Sequence, residues 1–445
     1  LTSPLSTEAI ATVPDPALRS CFPEKDRPLN VLFINDTSRN GGPGQTLLNI
    51  LKYLDSDKIK RSVMLPQEEL VSRRIRENGA AEIIIIEPAM LENLFQPLSR
   101  VMTRHDFEAP FILRWTRAAG NIGRAILGMV RLACRVRREG YNVIFCNGTT
   151  ACFIGGLLAV LPKSPPVVWH VFYPGVPPCL RSVHRWLASR SGVKAIICVS
   201  RAVTPQFRIS DRKLQVLHDA IDLGVSGMSA ETDLATTGSL RAELGIDDNV
   251  VLFGAHGRIL PHKGFYELIE VARLLFTTLG SDAASRCQFV VLGDTPQDSP
   301  LDHLTLCREK VKALGMEGFM HFIGFRADVR PYVADFDIAM VPSVYPDPLP
   351  LSVMEAMAMG KPIIGFDMGG IGEMVRNGQD GVLLQGKPAD ISGMVRACHD
   401  ALVEPEKWRL RGLAARQRIK RDFDAQPHAT TIQNLLLSLA AKEKT

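Results

Sequence analysis

Short apolar runs alternate with amphipathic or polar stretches over most of the chain. Asn30–Asn35, Arg61–Leu65, Ile83–Ile86, Val143–Cys146, Val167–Val171, Ile196–Val199 and Leu214–Leu217 are apolar runs of strand length, separated by helix-like or loop segments. A second series starts at Val250 and continues through Phe289–Asp294, His321–Val329, Asp335–Ser343 and Lys361–Asp367. Short strands alternating with helices predict a parallel, doubly wound α/β sheet, here twice over. Between the two series, Gly224–Asp248 is rich in Ser, Thr, Gly, Ala and acids and has no strand pattern. It reads as an inter-domain connection with a short helix near Ser239–Leu244. After Leu384 the pattern is helical, over Ala389–Leu402, Trp408–Phe423 and Thr430–Ala441.

The stretch Met340–Val375 carries the most chemistry. A strand ends near Val341, a Pro-rich loop runs from Pro342 to Pro350, and a helix starts near Leu351, with Pro350 suited to its first turn. Gly360 stops that helix, Lys361–Asp367 reads as a strand, and Gly369–Gly370 forms a loop at its carboxyl end. In parallel sheets, ligands bind at the carboxyl ends of strands, near helix N-termini. Asp347 lies on the loop and Glu355 on the helix, with seven residues between them. Backbone N–H groups at the start of the helix, near Leu351 and Ser352, suit a phosphate, and carboxylates suit sugar hydroxyls. The plainer reading is a capping acid and a solvated helix acid.

A similar junction follows the strand at Val250. Gly257, Arg258, Lys263 and Gly264 lie between the strand and a helix beginning at Phe265. Two cations there suit a diphosphate, Arg bidentately and Lys as a point charge, or are solvated surface charges. In the first half, Gly41, Gly42 and Gly44 form a tight loop before a helix expected from about Thr46. The spacing is not that of a dinucleotide-binding fingerprint. Asn147–Thr150 follows one strand and is a candidate to line a cleft. His170 ends the next, a place where a histidine is either a satisfied structural residue or a ligand contact. Asp335/Asp337 and Asp422/Asp424 mimic a metal-binding acid pair, but no metal is expected at either, and no cofactor is expected elsewhere.

Asp347, Glu355-Ala356-Met357-Ala358, Gly360-Lys361-Pro362-Ile363, Gly369-Gly370 and Glu373 together resemble the donor-site motif of family-4 glycosyltransferases, retaining enzymes of the GT-B fold. The family's first acid is usually Glu, where this chain has Asp347. Gly257-Arg258 with Lys263-Gly264 resembles the family's diphosphate-binding element. The resemblance implies two Rossmann-like domains facing across a cleft, and a nucleotide-sugar as co-substrate. It implies donor contacts from Gly41 and Gly42, a base-holding loop at Gly324, Phe325 and Arg326, and His170 beside the donor sugar. Asp219-Ala220 stands where the family has Asn-Gly. The implied organisation is a lead-in over 1–27, an acceptor domain over 28–223, a connection over 224–249, and a donor domain over 250–405. Helices over 406–445 complete it, the last one returning to the first domain.

Composition narrows the class. The chain has 445 residues, 46% hydrophobic and 22% charged, which fits two soluble globular domains. A net charge of +5 gives no reason to expect nucleic acid as a partner. Nine dispersed cysteines suggest free thiols and a cytoplasmic setting. No apolar run reaches membrane-spanning length, and the first residues do not read as a signal peptide. Between Arg100 and Arg138, arginines including Arg104, Arg114, Arg117, Arg124 and Arg131 interleave with Phe111, Trp115 and Ile126. Two readings stand: a helix packed on the sheet with a solvated basic face, or a peripheral surface for anionic lipid headgroups. The expected activity is sugar transfer to an acceptor hydroxyl on a glycan or lipid-linked molecule. The alternatives are a nucleotide-sugar epimerase, a phosphorylase-like enzyme, and a non-catalytic sugar-nucleotide-binding protein.

Overall fold

In the computed structural model, which describes residues 27–38, 41–87, 109–209, 212–224, 239–297 and 299–441, two separate sheets are built entirely from parallel strands. The first holds β1 (Leu29–Asn35), β2 (Ile59–Leu65), β3 (Ile83–Ile86), β4 (Val143–Asn147), β5 (Val167–Val171), β6 (Val193–Cys198) and β7 (Leu214–Val216). Their order is β3-β2-β1-β4-β5-β6-β7. The second holds β8 (Val251–His256), β9 (Cys287–Leu292), β10 (Met320–Gly324), β11 (Ile338–Val341), β12 (Ile363–Phe366) and β13 (Gly381–Leu384), in the order β10-β9-β8-β11-β12-β13.

Each sheet reverses its winding once, between β1 and β4 in the first and between β8 and β11 in the second. Crevices open beyond the carboxyl ends of strands at such reversals. The central strands are buried on both faces, as their continuous apolar runs require: β4 and β5 have no exposed residue.

The helices differ from expectation mainly at their starts. The helix after β1 begins at Gly42 rather than Thr46, because Pro43 fits its first turn. Pro350 is the residue just before helix Leu351–Ala358, not its first helical residue. The Arg-rich stretch forms a single helix, Phe111–Glu139, ended by Gly140 in the left-handed region at φ 63°; Arg104 lies outside the described residues. Helix Pro405–Asp422 packs on the second sheet's side, burying Trp408, Ala415 and Ile419. Helix Ala425–Ala441 starts earlier than its apolar pattern suggests, since the Asp424 carboxylate accepts the Gln426 N–H at 3.1 Å. It packs against helix Gly42–Tyr53 and sinks Ile432 and Leu436 into the core of the first sheet. The chain therefore crosses back from the second sheet to the first, and the Gln433 side chain accepts the Asp55 N–H at 2.8 Å.

Candidate active site at the carboxyl end of the second sheet

The two loops that flank the winding reversal of the second sheet carry most of the candidate side chains. One follows β8 and contains Gly257, Arg258 and Lys263; the other follows β11 and contains Asp347. The loops are docked on each other. The Val344 N–H donates to the His262 carbonyl at 3.2 Å, and the His262 and Tyr345 rings meet edge-on with centroids 4.5 Å apart.

This docking fixes a glycine. Gly264 has φ 78°, and a Cβ there would sit 1.7 Å from the Pro342 carbonyl oxygen. Gly369 and Gly370 are required for the same reason on the other side of the loop. A Cβ at Gly369 (φ 67°) would lie 2.2 Å from the Asp347 carbonyl oxygen, and one at Gly370 would lie 1.9 Å from that of Pro348. The Gly370 N–H donates to the Asp347 carbonyl at 2.7 Å. Backbone thus clamps Asp347 from both sides.

The candidate charges are paired. The Lys263 ammonium donates to the Asp347 carboxylate and also lies 5.5 Å from the centre of the Tyr345 ring. Asp347 is almost fully buried, so its carboxylate serves Lys263 rather than solvent. Burial, followed by the nearby Asp347 charge, pushes the Tyr345 phenol above its usual pKa and keeps it neutral. Glu355, with 39% of its side chain exposed, lies 2.9 Å from His256 Nε2. His256, the last residue of β8, is not among the candidates read from the sequence, which offers only its place at a strand end beside Gly257. Arg258 is exposed at the mouth of the same crevice. No side chain caps helix Leu351–Ala358, so Leu351 and Ser352 present its N-terminal backbone.

The loop after β10 has a mixed outcome. Gly324 takes φ 80°, and the Gly293 N–H donates to its carbonyl at 2.9 Å. Phe325 is 58% exposed and free to stack on a planar ligand. Arg326 is engaged locally, by Glu243 at 2.5 Å and by the Ile323 carbonyl at 2.7 Å. Lys361, in the same motif as Glu355, donates to the Ala334 carbonyl at 2.6 Å and is structural.

The first sheet contributes differently. A Cβ on Gly41, whose backbone is extended, or on Gly42 would meet nothing within 4 Å, so packing does not demand glycine at either. Asn147 does not line an open cleft. It is fully buried, donating to Asn35 Oδ1 at 2.5 Å and to the Pro43 carbonyl at 2.9 Å. His170 is also fully buried, with Nδ1 2.9 Å from Asn147 Oδ1 and Nε2 3.6 Å from Asp219 Oδ1. Burial, with His428 adding to it, lowers the His170 pKa well below its usual value.

Across the cleft, Glu373 joins the two halves. It accepts the backbone N–H groups of Arg201 and Ala202 at 2.8 and 3.0 Å, and lies 2.9 Å from His218 Nε2. Burial works to raise its pKa, but these partners together hold it below the usual range. The acid pairs that mimic metal motifs are otherwise engaged. Asp335 accepts the N–H groups of Leu240 and Arg241, Asp337 pairs with Arg241 at 2.8 Å, and Asp422 pairs with Arg421 at 2.7 Å.

Residues 249–403 match the family model described as "Glycosyl transferases group 1". Over 108 residues the chain is 39% identical to a glycogen synthase of Mycobacterium tuberculosis, a match covering 24% of this chain and 25% of that enzyme. A UDP-Gal:alpha-D-GlcNAc-diphosphoundecaprenol alpha-1,3-galactosyltransferase of Escherichia coli is 21% identical over 334 residues, 71% of this chain and 80% of its own length. The chain thus spans about a quarter of the mycobacterial relative and most of the enterobacterial one. The crystal structure of Anabaena HepE in complex with UDP and glucose superposes with a TM-score of 0.72 at 19% identity, covering 92% of this chain and all of that one. A sucrose-phosphate synthase of Thermosynechococcus elongatus gives 0.69 at 17% identity, covering 93% of this chain and all of that one. These likenesses establish the two-sheet arrangement as GT-B. Residues 249–403, which carry the paired charges around Lys263 and Glu355, match the glycosyl transferases group 1 family model.

Proposed function

We propose that this protein is a retaining glycosyltransferase that moves a sugar from a nucleotide-sugar to an acceptor hydroxyl, in glycan or glycolipid assembly. The observation that carries this reading is the convergence of Arg258, Lys263, Glu355 and the uncapped helix start at Leu351 on the winding reversal of the second sheet. A diphosphate placed there meets two cations and backbone N–H groups, which stabilise the negative charge that develops on the leaving group. Asp347 acts by holding Lys263 in place. Glu355, oriented by His256 and half-open to solvent, faces the sugar hydroxyls. Phe325 offers its exposed ring to the base. The glycines at 41 and 42, which packing does not require, leave room for close backbone approach by the donor from the first domain. A same-face departure and attack, assisted by the donor phosphate, needs no covalent nucleophile.

No added metal is required in this scheme, because the cations and the helix start supply the positive field. Turnover measured with and without added Mg²⁺ or Mn²⁺ should agree, and dependence on either ion would place a metal at the diphosphate instead. The first experiment is a thermal-shift screen of nucleoside diphosphates and nucleotide-sugars, followed by transfer assays on the donor that stabilises. Failure of every such ligand to raise the melting temperature would remove the reading.

Relatives that match this chain include enzymes named for diphospho-undecaprenol acceptors, from Campylobacter jejuni and Escherichia coli. A lipid-linked acceptor and a cytoplasmic, peripheral membrane position are therefore proposed here also. No helix among the described residues is long and apolar enough to cross a membrane. Helix Phe111–Glu139 nevertheless exposes Phe111 (63%), Ile112 (76%), Trp115 and Ile126. Arg117, Arg124, Arg131 and Arg138 recur every seven residues and so line up along one side of the same helix. One helix thus carries exposed apolar side chains and, on another side, a row of arginines, the two components of an anionic interface. Flotation with anionic but not neutral vesicles, weakened by salt and by replacing Arg117 and Arg124, is expected. Absence of binding to both vesicle types would favour a soluble acceptor.

A further inference from the structure

Away from the paired charges of the second domain, three side chains from distant parts of the chain converge in a fully enclosed place. His170 is the last residue but one of β5, Asp219 follows β7, and His428 lies in the first turn of the returning helix Ala425–Ala441. All three are buried, and one ligand-type atom from each falls within 4.8 Å of the other two. His170 Nε2 and His428 Nε2 lie 3.6 and 4.0 Å from Asp219 Oδ1.

The cluster is short of hydrogen bonds. Asn147 gives its amide N–H groups to Asn35 and to the Pro43 carbonyl, which can only accept, so its Oδ1 is an acceptor facing His170 Nδ1. His170 Nδ1 must therefore donate, and Nε2 faces Asp219. Asp219 uses Oδ2 to accept the Thr46 hydroxyl at 3.0 Å. Its Oδ1 and His170 Nε2 have no hydrogen-bond partner among the described residues, and the His428 ring faces the His218 backbone. Ligand-type atoms thus face one another in an enclosed site, and no described Lys or Arg is paired with Asp219. Buried polar atoms left in that state are costly.

We propose that His170, Asp219 and His428 bind a divalent transition-metal ion, with zinc the best match to two imidazoles and one carboxylate. The supporting shell is in place: Asn147 fixes the His170 tautomer and Thr46 orients the carboxylate, as outer groups do around metal-binding histidines. Ligand bonds of about 2.0–2.2 Å require the side chains to close on the ion by up to about 1 Å. The ion is structural. It fastens the returning helix to the ends of two strands of the first sheet, and it is independent of how the second domain holds its ligand. Sequence spacing hides the cluster, because its members stand at 170, 219 and 428 with no local motif.

The test uses the full chain, stripped with a chelator and dialysed against Zn²⁺ or Co²⁺. Wild type should retain about one zinc per chain after gel filtration, show visible Co²⁺ absorption bands, and melt at a higher temperature with Zn²⁺ than without. Asp219→Asn, which keeps the shape and the Thr46 contact, and His428→Gln should each weaken zinc binding by at least about 100-fold. Should one variant fail to fold, the other carries the comparison. Wild type that retains no zinc and gains no thermal stability overturns the proposal, as does retention that both variants leave unchanged. Either result would mean that a proton or a water molecule fills the cluster.

Discussion

The two sheets share one topology, yet they invest their carboxyl ends differently. Beyond the second sheet, side chains do the work: those of Asp347 and His256 are buried and pair with Lys263 and Glu355, which keep part of their surface open to a ligand. Beyond the first, the polar groups are sealed. Asn147 bonds to both Asn35 and His170 under complete burial. One scaffold therefore supports paired charges beside the crevice of one sheet and an enclosed polar chain at the strand ends of the other. The difference also explains why recognisable motif residues concentrate in the second half. Paired charges that meet a ligand constrain residue types at fixed spacing, whereas an enclosed chain depends on partners far apart in sequence.

The largest effect that would break this contrast concerns the charged side. Glu355→Ala should cut turnover severely with the fold intact by circular dichroism, and Arg258→Ala or Lys263→Ala should lower kcat/KM by at least about 100-fold. Wild-type rates in all three folded variants would show that the grip lies elsewhere.

A pair of glycine substitutions sharpens the comparison at smaller scale. Gly264→Ala places a Cβ against the Pro342 carbonyl at positive φ, so it should cost about 3 kcal/mol or more in denaturant unfolding. Gly41→Ala meets nothing within 4 Å and should leave stability within about 0.5 kcal/mol. Transfer should nevertheless fall by about ten-fold if donor approaches that backbone, and an unchanged rate would free Gly41 from the site.

The smallest effect is expected at Asp335. Losing the acceptor for the Leu240 and Arg241 N–H groups should cost about 1–2 kcal/mol, as loss of a helix cap does, with kcat unchanged. A fall in kcat rescued by Mg²⁺ would instead return Asp335 to the chemistry.

Much of this arrangement is legible in the amino-acid sequence. Alternating apolar runs locate both parallel sheets, and the stretch around Glu355 and the Arg258/Lys263 junction lead to the crevice where they stand. The connection helix at Ser239–Leu244 is also where its pattern places it. What escapes is pairing over long separations. That Asp347 would bind Lys263, Arg326 would bind Glu243, and His256 would orient Glu355 depends on how loops from different strands dock. Burial is the other gap. Asn147 and His170 stand at strand ends, where exposure and enclosure look alike in sequence, and it is the packing of Phe145, Phe172 and helix Ala425–Ala441 around His170 that encloses it. The early start of the helix at Gly42 reflects the fixed backbone angle of Pro43, which outweighs the local glycines.

The returning helix has a consequence for how the protein is made. Every strand of the first sheet has been synthesised by Val216, yet Ile432 and Leu436, which complete its core, leave the ribosome only after the whole second domain. During that interval the surface of helix Gly42–Tyr53 that they cover is an open apolar groove, the kind of surface that chaperones hold and aggregation exploits. The amino-terminal half must therefore wait, half-finished, while its younger neighbour folds. A chain cut after Asp422 would be expected to damage the older domain more than the one beside the cut.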